Sequence, residues 1–425
     1  MYYKLDNGMG VYLFQRKNLP LISLTTVYGV GSFNEQKHEQ GVAHFLEHMM
    51  FKGSKKYPLG AIDLFSHVSG GENNAYTCKD YTAYYHLLPK GSWQEGLNIE
   101  KDRMTSLDLD QGEFDSEKQV VIEELKMYQD EAQELLYDAM YESLYAKSSG
   151  YFHPVLGYEK TLNEMTLQTM QSFYEKYYQP ANSFLILLGD FEIDDAKEYI
   201  HQSLSQIPSK AIESKDVDRC FHVTNRKVIQ EMEQEYPSLQ IAFPSNGFSK
   251  ENYILSSILE EYLCGGKIGR FYQLLCEQND LVNSVQSFCD SQVEGGAFFF
   301  NFELKDIQDI KKILTIIYSE FENLHNGAFD LEELEIAKTK VLANYCIEQE
   351  KLDDYTMSLI PFCFYSKDGD AYQEYHSLKE AFSTVSALDM TDYIQKHFDK
   401  SKQVVGLVRD IEESDPDLFL WEEVQ

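Results

Sequence analysis

Gly41-Val42-Ala43-His44-Phe45-Leu46-Glu47-His48-Met49-Met50-Phe51 carries the pattern His-x-x-Glu-His. On a helix of about 3.6 residues per turn, positions four apart share a face, so His44 and His48 can present two imidazoles to a single metal ion. Glu47 adjoins them, close enough to hydrogen-bond a water there without being a ligand itself. The competing reading is an amphipathic core helix with two incidental histidines. With 11 His in 425 residues, this spacing arises by chance in roughly a few per cent of chains. A third ligand is therefore required.

Downstream, a long acidic helix is expected to begin near Asp115, running through Ser116-Glu117-Lys118-Gln119-Val120-Val121-Ile122-Glu123-Glu124-Leu125-Lys126-Met127. Glu117 and Glu124 are two helical turns apart and share a face, while Glu123 points about 100° away. Solvated charge is the ordinary explanation of such a helix. Beside the His pair the combination is harder to dismiss: a His-His-Glu set is a known catalytic zinc shell that leaves one coordination position open, and Glu124 could complete it.

Around these two helices the chain alternates. Asp6-Asn7-Gly8 marks a hairpin turn between apolar segments. Leu21–Val27 reads as a half-buried strand, with Ile22 and Leu24 on one face and the hydroxyls of Ser23 and Thr25 on the other. The motif helix is expected to stop near Gly53. A short helix over 61–68, strands over 74–78 and 81–88, and a helix over about 93–105 follow.

In the distance along the chain from His48 to Glu124, the sequence resembles the pitrilysin family of zinc peptidases, the inverzincins, in particular its short bacterial members similar to mitochondrial processing peptidase. The resemblance implies one Zn2+ per chain, with His44, His48 and Glu124 as metal ligands, Glu47 as catalytic acid-base, and Glu117 supporting the ligands from behind. Gly70-Gly71-Glu72-Asn73-Asn74-Ala75-Tyr76-Thr77 is similar to the family's Asn-Ala-x-Thr edge strand, where an extended peptide adds to a sheet. By that likeness Asn74, Ala75, Tyr76 and Thr77 bind substrate, with Tyr76 lining a side-chain pocket. His153-Pro154-Val155-Leu156-Gly157 and Tyr174–Asn182 match family landmarks; His153 is read as a packing residue rather than a ligand.

The second half echoes the first. Leu239-Gln240-Ile241-Ala242-Phe243 and a helix over 254–265 parallel the strand and motif helix without the metal residues. Tyr393–Phe398 before Val404–Val408 parallels Phe173–Tyr178 before the strand ending at Gly189. A polar linker is expected at Pro208–Asp216. The expected class is α+β: two related α/β-roll domains, each a mostly antiparallel sheet covered by helices. Residues 1–208 would form the zinc-binding catalytic domain, and 217–425 a related domain without metal that forms the opposing wall of a chamber.

Many homodimeric relatives carry an Arg and a Tyr seven apart in the second domain. Here Cys276 and Asn283 occupy those places, and neither supplies a fixed cation or a phenol. Arg270 matches a different position and is read as structural. The expectation is a dimer in which a related subunit supplies the missing pair. Two alternatives stand beside it: a proteolytically silent zinc-binding subunit of structural or assembly type, and a zinc hydrolase acting on a non-peptide substrate.

Composition narrows the partners. The net charge of −33 argues against nucleic acid, whose phosphates would be repelled; it serves solubility and, with equal weight, favours cationic peptides. Seven cysteines without a C-x-x-C pair point to reduced thiols and a cytoplasmic setting. No secretory signal is read at the N-terminus. No apolar run reaches membrane-spanning length, so no membrane partner is expected.

Overall fold

The computed structural model describes residues 1–210, 221, 223, 226–293, 295–365 and 370–410. Of the expected linker, 211–216 lie outside the described residues.

The hairpin around Asp6-Asn7-Gly8 forms between β1 (Tyr2–Lys4) and β2 (Gly10–Gln15), with Gly8 at φ 92° in a region open to glycine. With β3 (Leu21–Tyr28), β4 (Glu72–Thr77), β5 (Thr82–Pro89) and β6 (Ser183–Gly189) these strands make a sheet in the order β1-β2-β6-β3-β5-β4. A second sheet runs β7-β11-β8-β10-β9, from β7 (Lys227–Glu231), β8 (Ser238–Pro244), β9 (Val282–Gln292), β10 (Gly295–Leu304) and β11 (Val404–Arg409). Each sheet contains one parallel pair, β2 with β6 and β7 with β11, and is otherwise antiparallel. Matched strand for strand, the sheets repeat one topology, with β1 added to the first. The expected α+β class and internal duplication are both present.

The helices are α1 (Val42–Met49), α2 (Ala61–Ser69), α3 (Trp93–Ser106), α4 (Gln111–Gln129), α5 (Ala132–Leu144), α6 (Glu159–Glu164), α7 (Leu167–Tyr177) and α8 (Ile193–Leu204). In the second half they are α9 (Lys250–Cys264), α10 (Ile310–His325), α11 (Leu331–Glu348), α12 (Leu352–Tyr365), α13 (Ala371–His376), α14 (Leu378–Thr384) and α15 (Ala387–His397). No helix among the described residues is long and apolar enough to cross a membrane. The chain divides into two compact units that do not follow a single cut at mid-chain. Unit 1 comprises Met1–Met127, His153–Val217 and Glu348–Gln373, and unit 2 the remainder. Helix α5 therefore belongs to unit 2 and α12 to unit 1, each taken from the other half of the sequence.

That exchange corrects the reading of β3. The sequence pattern predicts a half-buried strand with Ser23 and Thr25 opposite the apolar face, yet they are 2% and 0% exposed. Helix α12 covers them, and Thr356 Oγ1 donates to Ser23 Oγ at 2.8 Å. A strand read alone shows its alternation but not the distant segment that arrives to bury its polar side.

Two helix ends also differ from expectation. Helix α1 stops at Met49, and tighter turns carry the chain to Gly53, which takes φ 123°. Helix α4 starts at Gln111 because Asp110 Oδ1 accepts from the amides of Gly112 (2.7 Å) and Glu113 (3.1 Å), satisfying otherwise orphaned helix donors.

Arg103 of α3 is 1% exposed. Its guanidinium lies over the rings of Tyr84 (4.8 Å) and Phe51 (5.4 Å) and pairs with Glu100, which also bonds His86 Nε2 at 2.7 Å. Removing one member of a buried pair strands the other charge. Arg103→Ala is expected to cost about 3–5 kcal/mol, read from the urea unfolding midpoint.

In unit 2, Glu260 of α9 accepts from the Cys289 amide of β9 at 2.8 Å, and burial pushes its carboxyl from the ordinary 4.5 to about 8. A folded-state value above the unfolded one means that this group's contribution to stability is fully present below about 4.5 and is lost as pH rises through about 8. Glu260→Gln should therefore gain stability over the parent at pH 9 and lose that advantage at pH 4, as urea midpoints at the two pH values would read.

Candidate metal centre

The site lies in unit 1, where α1 and α4 meet. Every residue of α1 except His48 is buried, which fixes the helix and leaves the histidines on the side toward α4. The two imidazole rings are 4.7 Å apart between centroids. Helix α4 presents Glu124 to both: His44 Nε2 is 3.7 Å from Oε1 and His48 Nε2 is 3.2 Å from Oε2. One donor atom from each residue falls within a 4.8 Å span, and this is the one such His/Cys/Asp/Glu group among the described residues. His-x-x-Glu-His and the distant glutamate of the acidic helix are thus brought together as expected.

Glu117, two turns before Glu124, sits behind the pair. Its Oε1 is 3.0 Å from His48 Nδ1 and its Oε2 is 2.5 Å from Lys52 Nζ. When Nδ1–H donates to Glu117, the lone pair of His48 is left on Nε2, on the side of Glu124. Lys52 was not foreseen, although its position four residues after His48 is the spacing that would have pointed to it.

The electrostatics suit a dication. Burial and the neighbouring His48 push His44 down to about 4, against the pull of Glu124, so His44 is neutral as a ligand must be. Burial also lowers His48, but hydrogen bonds to Glu124 and Glu117 outweigh it and hold it above its ordinary value. The same bond to His48 keeps the Glu124 carboxyl low. Burial raises Glu47, and the nearby Glu124 raises it further. Three carboxylates thus converge on two imidazoles and one lysine. A bound cation would relieve that excess of negative charge, and the donor set of two imidazole nitrogens and a carboxylate fits zinc with one position free.

Strand β4 is the last in its sheet, and both α1 and α2 lie against it. Thr77 Oγ1 donates to Glu47 Oε2 at 2.6 Å, so this hydroxyl faces the acid. Asn74 Oδ1 accepts from the Ala75 amide at 2.8 Å. Tyr76 packs edge-on against Tyr81, with ring centroids 5.9 Å apart and hydroxyls at 3.3 Å. His153 is 2% exposed and bonds Glu35 Oε2 at 2.8 Å, apart from the metal donors. In unit 2, Cys276 is half-buried with its thiol raised by burial, and Asn283 is exposed at the start of β9. Arg270 pairs with Glu320 (2.8 Å) and Glu333 (3.7 Å), in keeping with a structural role.

This sequence and fold match known proteins. Residues 18–152 match the family model described as insulinase (peptidase family M16), and 164–341 match the peptidase M16 inactive domain. The chain belongs to peptidase family M16, the pitrilysin family of zinc peptidases, and is of its short bacterial type. It is similar to an uncharacterized zinc protease of Rickettsia felis, 28% identical over 362 residues covering 82% of this chain and 84% of that one. It is also similar to the uncharacterized zinc protease YmxG of Bacillus subtilis, 26% identical with the same shares covered. The crystal structure of a protease from Helicobacter pylori shares the fold at a TM-score of 0.88, with 21% identity over 96% of this chain and 99% of that one.

Partners that orient metal ligands typically contribute about 10- to 100-fold in affinity. Glu117→Ala is expected to weaken Zn2+ binding by that factor, measured by competition with a chromophoric chelator.

Proposed function

We propose that this chain is a zinc-dependent endopeptidase that hydrolyses short or unfolded peptides added as a strand to β4. Residues 1–208 would be its metal-bearing half and 217–425 a related half without metal. The observation that carries this reading is the placement of Glu47, a carboxylate beside the His44-His48-Glu124 donor set and hydrogen-bonded to the edge strand itself through Thr77. A metal held for structure alone has no use for such a neighbour.

His44, His48 and Glu124 would hold one Zn2+, with Glu117 and Lys52 fixing His48 from behind. Zinc bound there would supply Lewis acidity, polarising a carbonyl and lowering the pKa of a water toward about 7. Glu47 takes the proton of the attacking water as the C–O bond forms, then passes a proton to the amine as the C–N bond breaks. The burial that raises Glu47 makes it the stronger base once ionised. Asn74 and Ala75 on the edge strand would pair with the substrate main chain, and Tyr76 would line a side-chain pocket. Thr77 is turned toward Glu47 and would orient the acid.

The physiological form in this reading is a dimer with a related subunit that supplies the Arg and Tyr missing at Cys276 and Asn283. Those two residues equally support a second reading, a silent zinc-binding subunit of an assembly. The charge of −33 favours cationic peptides, and salt should weaken that preference. The six free cysteines among the described residues support a cytoplasmic setting.

Glu47→Gln is expected to retain one zinc per chain and lose about 10²- to 10⁴-fold of its peptide hydrolysis. Metal analysis and a peptide-library digest, with and without chelator, read the two halves of that statement. A parent chain that binds zinc but cleaves nothing, alone or with a related subunit added, would decide for the silent subunit.

A further inference from the structure

Helix α1 carries both imidazoles yet cannot cap itself. Its N-cap is Gly41, at φ 95°, with no side chain to accept the first-turn amides. Nor can another residue stand there: a Cβ at Gly41 would lie 2.7 Å from the Leu156 carbonyl oxygen, and one at Gly157 would lie 2.4 Å from the Gln40 carbonyl oxygen. The backbone of 154–157 is thus pressed against the start of α1, with Thr161 Oγ1 donating to Gln40 O at 2.9 Å. The cap comes instead from Glu35. Its Oε2 accepts from the Gly41 amide and its Oε1 from the Ala43 amide, both at 2.8 Å. His153 Nε2 lies 2.8 Å from the same Oε2, and Lys79 Nζ holds the His153 carbonyl at 3.0 Å. The side chains of Glu35 and His153 are 0% and 2% exposed.

We infer that Glu35, held by His153, is a positioning residue for the metal centre: it sets the seat and rotation of α1, and so where His44 and His48 stand relative to Glu124. This rests on the zinc-peptidase reading above. Ala43, whose amide Glu35 grips, directly precedes His44, so a slip at the cap is transmitted to the first ligand within one residue. Metal sites tolerate only about 0.5 Å or 10–20° of misplacement, and α1, at eight residues, has no length over which to absorb a displaced end. A carboxylate at a helix N-terminus also opposes the positive end of the helix dipole. The His-Pro-Val-Leu-Gly stretch thereby acquires a role in the site without contributing a ligand.

Glu35→Gln replaces one acceptor oxygen with an amide donor, which cannot serve both helix amides and His153 together. The expected result is about 10-fold weaker Zn2+ binding and shifted ligand-field bands in the Co2+-loaded protein. His153→Asn removes only the support behind Glu35 and should move both readouts in the same direction by less. Ile200→Val, a core truncation in α8, serves as the stability control and should leave both unchanged. If Glu35→Gln or His153→Asn folds yet binds Zn2+ with parental affinity and gives parental Co2+ bands, the inference is overturned. It is equally overturned if Ile200→Val shifts them as much, since general loosening would then explain the effect. Zinc binding without peptide hydrolysis in the parent would sink the peptidase reading alone. Failure of the parent to bind zinc would sink both.

Discussion

The position of His48 between two carboxylates is the constraint on which the rest of the site depends. Glu117 takes Nδ1 and Glu124 faces Nε2, so one imidazole links the helix that carries the motif to an acidic helix far along the chain. Donation from Nδ1–H to Glu117 fixes the ring's orientation and turns Nε2 toward Glu124. Both carboxylates come from one face of α4, two turns apart, and the rigidity of that helix sets the distance between support and ligand. Lys52, on the turns that extend α1, closes the arrangement by neutralising the outer oxygen of Glu117.

Around that link the low dielectric of a buried site raises the stakes of every charge. Glu47 is pushed up by burial while Glu124 is held down by His48, so two carboxyls in one site are driven apart in their proton affinity. Such a separation assigns different tasks to chemically identical groups. Glu35 shows the same economy at the other end of α1, where a buried carboxylate is accommodated because helix amides and an imidazole bond it.

The two sheets share one strand order, yet the units have diverged where α1 and α9 lie against their edge strands. In unit 1 the acid on α1 meets a threonine hydroxyl of β4. In unit 2 the acid on α9, Glu260, meets a backbone amide of β9. Glu260 has no histidines beside it on α9, and burial above all raises it to about 8. One topology therefore carries a His-His-Glu donor set in one unit and a buried carboxyl bonded to a backbone amide in the other.

The amino-acid sequence by itself placed His44 with His48 and Glu117 with Glu124, because positions four or seven apart share a helix face, while the meeting of the two pairs was implied by the resemblance to the pitrilysin family. It also determined the duplicated α+β pattern, because the strand and helix runs recur in the same order. Only the tertiary structure decided that α5 and α12 trade units, that Ser23 and Thr25 are buried, that Thr77 turns to Glu47, and that Glu35 and His153 seat α1. Each of these depends on contacts between residues far apart in the chain, such as Thr356 on Ser23 or His153 on Glu35. Local periodicity carries no information about which distant side chain will fill a given acceptor. That is settled when the elements pack and every buried polar group must find a partner.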